Sequence, residues 1–571
     1  MATAPNITTD RKSLSSGYTE RKISRQIDEL CRLSKQQRDR DLGANWISDM
    51  RDFYNLTYTS MSINPSYRPN VMLPELQFLT LNETSDLTSE SPKVYITVDG
   101  KTDEERQKAF QAAWKFGRFN NRILEAALWS EYATVGWVET GFSPYARNGK
   151  GMVWQASRQP DSVYPDPAGD NTYGWQYVVL EDWMYVDMVR RLWPENGGRV
   201  RPHESLGESY AEWGNTAGTS FQLPEDSSLS KMDDVDIDPI KHRDARVRVR
   251  RLYILDNAKE TVNEVSGSAL ANNLVVVPNR KWKYPNGRFI VECEGIILAD
   301  GPNYVPKLPE DEWGTFPVSG IWSLPSLAGI WGPPPIRYGR SSQELAERML
   351  TQTFENAVRL NNGITFIPQD SGIDIDAYGG MPGEVQMISS KDAVPVQLWP
   401  KEMPKHMTEL PELLLQKVRQ YQGFTPARQG VTPPGNVGAD LFDATIFQSQ
   451  ALTRLRGRLY AEAVQRIAQM TFYFMQTFKR DDDTFQLPDK TGFCTWSPIA
   501  DPMQCQMYLD EDSLQAISKA SLQKLAMALA GKGLPLKFVL EAFDIPSAEQ
   551  ISEEANREME LAALSKVKRP R

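Results

Sequence analysis

The side chains that most often bind metals or act as nucleophiles are sparse here. The chain has three histidines, His203, His242 and His406, and four cysteines, Cys31, Cys293, Cys494 and Cys505. The histidines lie far apart in polar stretches without an HxxxH pattern, so each reads as a solvated surface group. No cysteine pair has zinc-ribbon spacing, and all four read as reduced thiols of a cytosolic product. Carboxylates give two further candidates. Counted from Asp234, a calcium loop would have Asp at its first, third and fifth positions, as found in Asp234, Asp236 and Asp238. Its sixth position should be Gly and is Pro239, and its twelfth should be Glu and is Ala245. The acidic run that starts at Asp233 therefore reads as a solvated loop. In QPDSVYPDPAGD, Asp161, Asp166 and Asp170 have the chemistry of an acid–base pair, but Pro165 and Pro167 argue for a rigid turn. There is no GxxxxGK[ST] and no GxGxxG after a strand. No carboxylate cluster with an associated Lys suggests a nuclease. No catalytic residue, metal or cofactor is expected.

The elements that would position any site come next. At 571 residues the chain is long enough for about three to four domains. Hydrophobic residues at 40% and charged residues at 24% give an ordinary globular balance. The net charge of −10 argues against a sustained grip on nucleic acid, which needs a basic surface. The opening MATAPNITTDRKSLSSGYTERK has no apolar signal core. No window is apolar enough to span a bilayer, so no membrane contact and synthesis in the cytoplasm are expected.

Helical spacing starts near Thr19 with Ile23, Ile27, Leu30 and Leu33 on one face, and continues through Trp46, Met50 and Phe53. NVMLPELQFLTL predicts a short helix with Pro74 near its start. SPKVYITV reads as a strand and Thr102 to Glu131 as one long helix with an acidic first turn. Ala133–Phe142 and Gly151–Ser157 alternate like a hairpin turned by YARNGKG. Val178–Glu181 predicts a strand and Met184–Trp193 a short helix. A polar stretch over about 194–239 reads as a surface insertion. ARVRVRRLYIL then predicts a half-buried strand, and NLVVVPN and GRFIVECEGIILADG predict more.

The pattern changes after Pro333–Pro335. Ser341, Ser342, Gln343 and Glu344 offer a capping-box start for a helix to about Asn361. Its apolar stripe is Leu345, Met349, Phe354 and Val358, with Glu344, Glu347, Arg348, Glu355 and Arg359 on the other faces. A small β module follows, with strands at GITFIP, VQMIS and VPVQLW; it is too small for a core of its own. A second helix, Thr408–Gln422, carries Leu410, Leu414, Val418 and Tyr421, with Pro411 in its first turn. After the Gly/Pro stretch YQGFTPARQGVTPPGNVGAD, steps of three and four run from Leu441 to Phe478. That pattern predicts a helix of about 60 Å at 1.5 Å per residue, with Gly457 as a weak point. Within it Arg454, Arg456 and Arg458 alternate, as a DNA contact or a salt-bridged or solvated face would. A helical region over about Asp512–Leu564 ends in the basic tail KVKRPR.

This order of parts resembles the portal, or head-to-tail connector, proteins of tailed bacteriophages: α+β body, helix, small β module, helix, Gly/Pro loop, very long helix, helical tail. QPDSVYPDPAGD followed by an aromatic strand is similar to the family's "vyxDPxA" turn. RQYQGFTPARQGVTPPGNVGA before a long helix is similar to its "xGxxPxxxG" loop, and NVMLPELQFLTLNETSDLTSESPKVYI to its early segment. Each motif is degenerate; the order carries the resemblance, over about residues 20–550.

The resemblance implies an α+β, portal-like fold and a ring oligomer, dodecameric in the family. Residues 1–19 would be a flexible N-terminus and 20–339 the wing with its insertion. Residues 340–362 and 403–423 would be the two stem helices, carrying Arg348, Glu355, Arg359, Lys417 and Arg419. Residues 363–402 would be the clip, the docking and inter-subunit module, with Ile364, Phe366, Ile373, Ile375, Val385, Met387, Val396 and Leu398. Residues 424–438 would be the tunnel loop, with Pro426, Arg428, Gln429, Val431, Pro433 and Asn436 along a DNA channel. Residues 439–483 would be the long wing helix and 484–571 the end of the wing and the crown. The implied partners are further copies of this chain, the terminase large subunit, the major capsid protein, head–tail adaptor and tail proteins, and double-stranded DNA in transit. The implied location is the portal vertex of the virion. A loop with one Arg among small residues and prolines suits weak, sequence-blind contact with a sliding duplex. A different head–tail junction protein such as an adaptor is the alternative, against which the length argues; a DNA-processing enzyme is a remote one.

Overall fold

The structure is a computed structural model. It describes residues 16–56, 71–88, 94–98, 101–169, 174–200, 246–266, 275–326, 329–361, 364–371, 396–398, 404, 406–424, 451–479, 483–486, 492–497, 505–509 and 557. The fold is mixed helix and sheet, α+β. The described helices are α1 (Ser16–Leu42), α2 (Trp46–Tyr54), α3 (Glu75–Thr88), α4 (Glu104–Phe116), α5 (Phe119–Ala133), α6 (Val186–Leu192), α7 (Ile336–Asn361), α8 (His406–Tyr421) and α9 (Ala451–Phe478). The first strands are β1 (Val94–Val98), β2 (Lys101–Thr102), β3 (Val135–Ser143), β4 (Met152–Arg158), β5 (Val163–Pro165) and β6 (Tyr177–Tyr185). Next come β7 (Arg246–Ile254), β8 (Lys259–Ser266), β9 (Val275–Trp282), β10 (Arg288–Cys293), β11 (Ile296–Pro302) and β12 (Val318–Trp322). The last are β13 (Ile364–Phe366), β14 (Val396–Leu398), β15 (Asp483–Gln486), β16 (Phe493–Trp496) and β17 (Cys505–Leu509). The chain divides into two compact units, one of residues 1–50, 80–335 and 436–571, the other of 51–79 and 336–435.

In the first unit a five-stranded sheet runs β11-β10-β7-β6-β5. Helix α1 lays Ile23, Ile27 and Leu30 on one face, against Val179, Leu252, Ile254 and Ile290. Leu33 departs from the expected stripe and is exposed. Gly43, at φ +106°, ends α1 and lets α2 start as a separate helix. The opposite sheet face packs Val247, Val249 and Val291 on Val186 and Val189 of α6. Strand β7 is thus covered on both faces, and the half-buried reading of its arginines fails at Arg250, which is buried. Arg250 bonds Glu292 at 2.8 Å and also pairs with Asp28. Its neighbour Arg251 joins Glu139 at 2.5 Å and Asp182 at 2.6 Å, and Arg158 bonds the same two carboxylates. Burial pushes the Asp182 carboxyl up, but Arg251 and Arg158 outweigh that and hold it down at about 2.

A second sheet, β12-β3-β4, contains the predicted hairpin. Its turn places Arg147 and Asn148 at positive φ, followed by Gly149 and Gly151. Helix α5 lies so close to β3 that a Cβ on Gly136 would fall 1.7 Å from the Ala126 carbonyl oxygen. The expected single helix over Thr102–Glu131 is instead two. Arg118 adopts a left-handed φ of 54°, and the Gly117 N–H closes α4 on the Ala113 carbonyl. The break turns Phe119 in to meet Trp114 edge-on, 5.3 Å between ring centroids. Helix α9 packs Phe472 against Phe110 and Trp496. Late in the chain, β17 pairs antiparallel with β1. The alternating arginines of α9 separate. Arg456 is buried between Glu83 at 3.6 Å and Glu131 at 3.5 Å, and Arg458 is exposed. Residues 439–450 of the expected long helix, the 201–239 part of the insertion and nearly all of 510–571 lie outside the described residues.

Candidate interaction surface

The second unit contains the described part of the predicted stem and clip. Its main helix, α7, begins at Ile336, directly after the proline run, so Ser341 is not a cap. Once the prolines end, nothing local prevents helix, and the capping-box residues fall inside the second turn. The consequence is large for Gln343. It turns inward and accepts from the Leu76 N–H at 3.0 Å while donating to the Leu73 carbonyl at 2.6 Å. One turn on, Glu347 accepts from the Leu73 N–H at 3.0 Å; a further turn on, the Thr351 hydroxyl accepts from the Val71 N–H at 3.3 Å. Residues four apart share a helix face, so Gln343, Glu347 and Thr351 form one polar stripe, each 0% exposed. It meets an extended backbone running the opposite way into α3. That backbone has N–H and C=O groups that no helix or strand satisfies, and burying them requires partners.

The expected apolar stripe of α7 is mostly outside. Met349 is buried, but Leu345, Phe354 and Val358 are 48%, 56% and 52% exposed. Phe354 and Val358 continue the line of Gln343, Glu347 and Thr351 beyond the extended segment. Glu347, on a face other than the apolar stripe, is fully buried. Arg348 is exposed and Glu355 half-buried.

Helix α8 packs antiparallel on α7. A Cβ on Gly339, near the start of α7, would lie 3.2 Å from Val418, near the end of α8. Val418 is buried, Leu414 half-buried, and Leu410, Leu413 and Tyr421 are exposed. The helix starts at His406, so Pro411 sits in its second turn rather than its first. Arg419 bonds Glu75 at 2.6 Å, which holds its guanidinium above its usual range; Lys417 is exposed and bonds Gln420 at 3.1 Å. At the other end of the helix pair, β13 and β14 pair antiparallel, Ile364 with Leu398 and Phe366 with Val396. Phe366 and Val396 are exposed.

The remaining sequence-predicted positions do not assemble here. Ile373, Ile375, Val385 and Met387 of the clip lie outside the described residues. So do Pro426, Arg428, Gln429, Val431, Pro433 and Asn436, and the side chain of Arg359. Of the acid–base candidates, Asp166 is buried and accepts from the Ala168 and Gln176 N–H groups at 3.0 Å each, so it holds a turn. Asp170, His203, His242 and the run from Asp233 to Asp238 lie outside the described residues. Among the described residues no His, Cys, Asp and Glu group is arranged to hold a metal, and no helix is long and apolar enough to cross a membrane. What the unit offers is a helix pair with exposed aromatic and aliphatic side chains on both members. The sequence shows most of those residues as apolar stripes without giving their direction; the polar stripe has Gln343, Glu347 and Thr351 at i, i+4 spacing as its only local signal. No protein-family model matches the chain, and no curated protein matches it.

Proposed function

We propose that this protein is the subunit of a phage portal ring, a non-enzymatic conduit for double-stranded DNA at one vertex of a capsid. The observation that carries the reading is the second unit. In chain order, two antiparallel helices joined through a two-stranded β pair come between residues 80–335 and 436–571 of the first unit. Both helices leave large apolar side chains exposed in the single chain, Phe354 and Val358 on α7, Leu413 and Tyr421 on α8. Neighbouring copies around a ring would bury them. The net charge of −10 suits a channel that must not grip its DNA. In this reading the β pair is the clip that docks the terminase large subunit and later the adaptor and tail proteins. The body contacts the major capsid protein, and residues 424–438 form the loop that meets the duplex.

The test is mass and shape in solution. Light scattering and negative-stain microscopy of the purified chain should give a large ring with a central hole wide enough for duplex DNA. A fixed dimer or tetramer at all concentrations overturns the reading. Replacing residues 426–434 by a Gly/Ser linker should leave the ring intact and impair packaging.

A further inference from the structure

The first unit holds an open cleft of about 980 Å3, walled by α1, the start of α2, the end of β4, β5, the second half of β6 and the first half of β7. Arg246, Arg248 and Arg250 reach it because residues two apart on a strand share a face. Much of the acidic lining is already neutralised. Asp182 is held by Arg158 and Arg251 at 2.6 Å each, and Asp28 pairs with Arg250. Two cationic groups retain capacity. Arg248 and Lys35 make no hydrogen bond or ion pair among the described residues. Arg38 is 4% exposed and already engaged: its Nη1 donates to the Pro160 carbonyl, its Nε lies 3.7 Å from Asp39, and the Trp46 and Tyr164 rings flank its guanidinium. The buried Ser157 hydroxyl, also in the wall, has no hydrogen-bond partner.

Glu181 also lines the cleft, and its side chain has no hydrogen bond or close ion pair among the described residues. Burial pushes its carboxyl up against the pull of Arg248, Arg250 and Arg38, which weakens it as a counter-charge to the arginines. Aromatic rings complete the wall. Trp183 lines it, and Tyr185 is half exposed with the Arg246 guanidinium 4.9 Å from its ring centroid. The cleft therefore combines cations with spare donors, planar apolar surface, and two hydrogen-bonding groups of the kind that read a base edge. Its volume lies in the range of small-molecule sites.

We propose that this cleft binds a nucleoside phosphate, with the phosphate on Arg248 and Lys35, the base against the Tyr185–Trp183 wall, and Glu181 and Ser157 on the base edge. Charge-assisted bonds supply the phosphate contacts, and stacking on aromatic faces supplies the base contact. The source is either a free nucleotide or an unpaired nucleotide at the end of a strand. The proposal stands on the first unit alone and is independent of the ring reading.

Equilibrium dialysis of the full chain against labelled dAMP tests it, with inorganic phosphate and a short oligo(dA) as competitors. Saturable binding of one dAMP per chain is expected, with inorganic phosphate about tenfold weaker because it lacks the ring. Arg248→Gln should weaken dAMP by about tenfold, the usual loss for one charge-assisted bond. Lys35 is exposed on α1, so Lys35→Gln keeps the fold intact and should weaken dAMP about threefold. Oligo(dA) binding tighter than dAMP at equal salt supports the proposal with a strand end as source; equal or weaker binding supports it with a free nucleotide. The proposal is overturned if dAMP does not saturate at millimolar concentration, if inorganic phosphate binds as well, or if Lys35→Gln and Arg248→Gln both leave binding unchanged.

Discussion

Helix α9 has 28 residues and helix α7 has 26, and both have amphipathic sequences. They resolve that pattern in opposite senses. Helix α9 buries Ile467, Met470 and Phe474 of its predicted stripe in an aromatic core, together with Phe472 from outside the stripe, while Leu455 of the stripe is exposed. Helix α7 buries Gln343, Glu347 and Thr351 and leaves Leu345, Phe354 and Val358 outside. The difference lies in what each helix meets. Sheet and aromatic side chains present apolar surface to α9. An extended backbone presents unsatisfied N–H and C=O groups to α7, and leaving those groups without partners costs more than exposing a few apolar side chains in the isolated chain.

The contrast can be broken from either side. Phe472→Ala should destabilise the first unit by about 3–5 kcal/mol, the usual range for deleting a buried aromatic. A denaturation midpoint close to that of the parent protein would mean that α9 is not held by its apolar face. Next in size is the one charge α9 buries, Arg456. Its partner Glu131 is pushed up to about 7, by burial first, with Glu83 adding to the rise and Arg456 opposing it. The folded chain therefore holds a proton there that the unfolded chain has released. The contribution of Glu131 is complete below its ordinary value of 4.5 and is lost as pH climbs to about 7. At 1.36 kcal/mol per unit this amounts to roughly 3 kcal/mol. Glu131→Gln should flatten that part of the stability–pH profile; an unchanged slope between pH 5 and 7 would remove the buried-proton account.

On the side of α7, Gln343→Leu adds apolar surface at a fully buried position and should still destabilise, by about 2 kcal/mol. It strands the Leu76 N–H and the Leu73 carbonyl. A neutral or stabilising result in chemical denaturation would show that the polar stripe is incidental. The smallest effect on folding is expected for Phe354→Ser combined with Val358→Ser, within about 0.5 kcal/mol for the dilute chain. The same pair should weaken self-association by at least about tenfold in sedimentation, since buried aromatic anchors dominate interfaces. Unchanged association would detach the exposed face from oligomerisation.

Part of this was legible in the sequence. The β3–β4 hairpin follows from period-two alternation and a turn rich in residues that tolerate positive φ. The hydrophobic spacing of α9 and the divide after Pro333–Pro335 are equally local signals. The candidate surface was legible only as composition. Leu345, Phe354 and Val358 were visible as an apolar stripe, but its direction was not, because periodicity reports that a helix has two faces and not which face a distant segment will cover. The break at Gly117–Arg118 had a local signal in Gly117 and the Asn120–Asn121 pair, outweighed in the sequence by the apolar spacing on either side, and the packing of Phe119 on Trp114 fixes the turn.

The sequence by itself determined the α+β class and the lack of histidine or cysteine patterns suited to catalysis or metal binding, but not the strands β15, β16 and β17. What it determined follows from side-chain type and spacing along the chain. The tertiary structure decided which charges went inside. Arg250, Arg251 and Arg456 look like surface groups in any local window, yet each meets carboxylates more than 40 positions away: Arg250 with Glu292 and Asp28, Arg251 with Glu139 and Asp182, Arg456 with Glu83 and Glu131. For Arg250 the nearer partner is 42 positions on, and the other is 222 away. A buried charge is tolerated only beside its counter-charge, and contacts of that range are set by the fold rather than by neighbours in sequence.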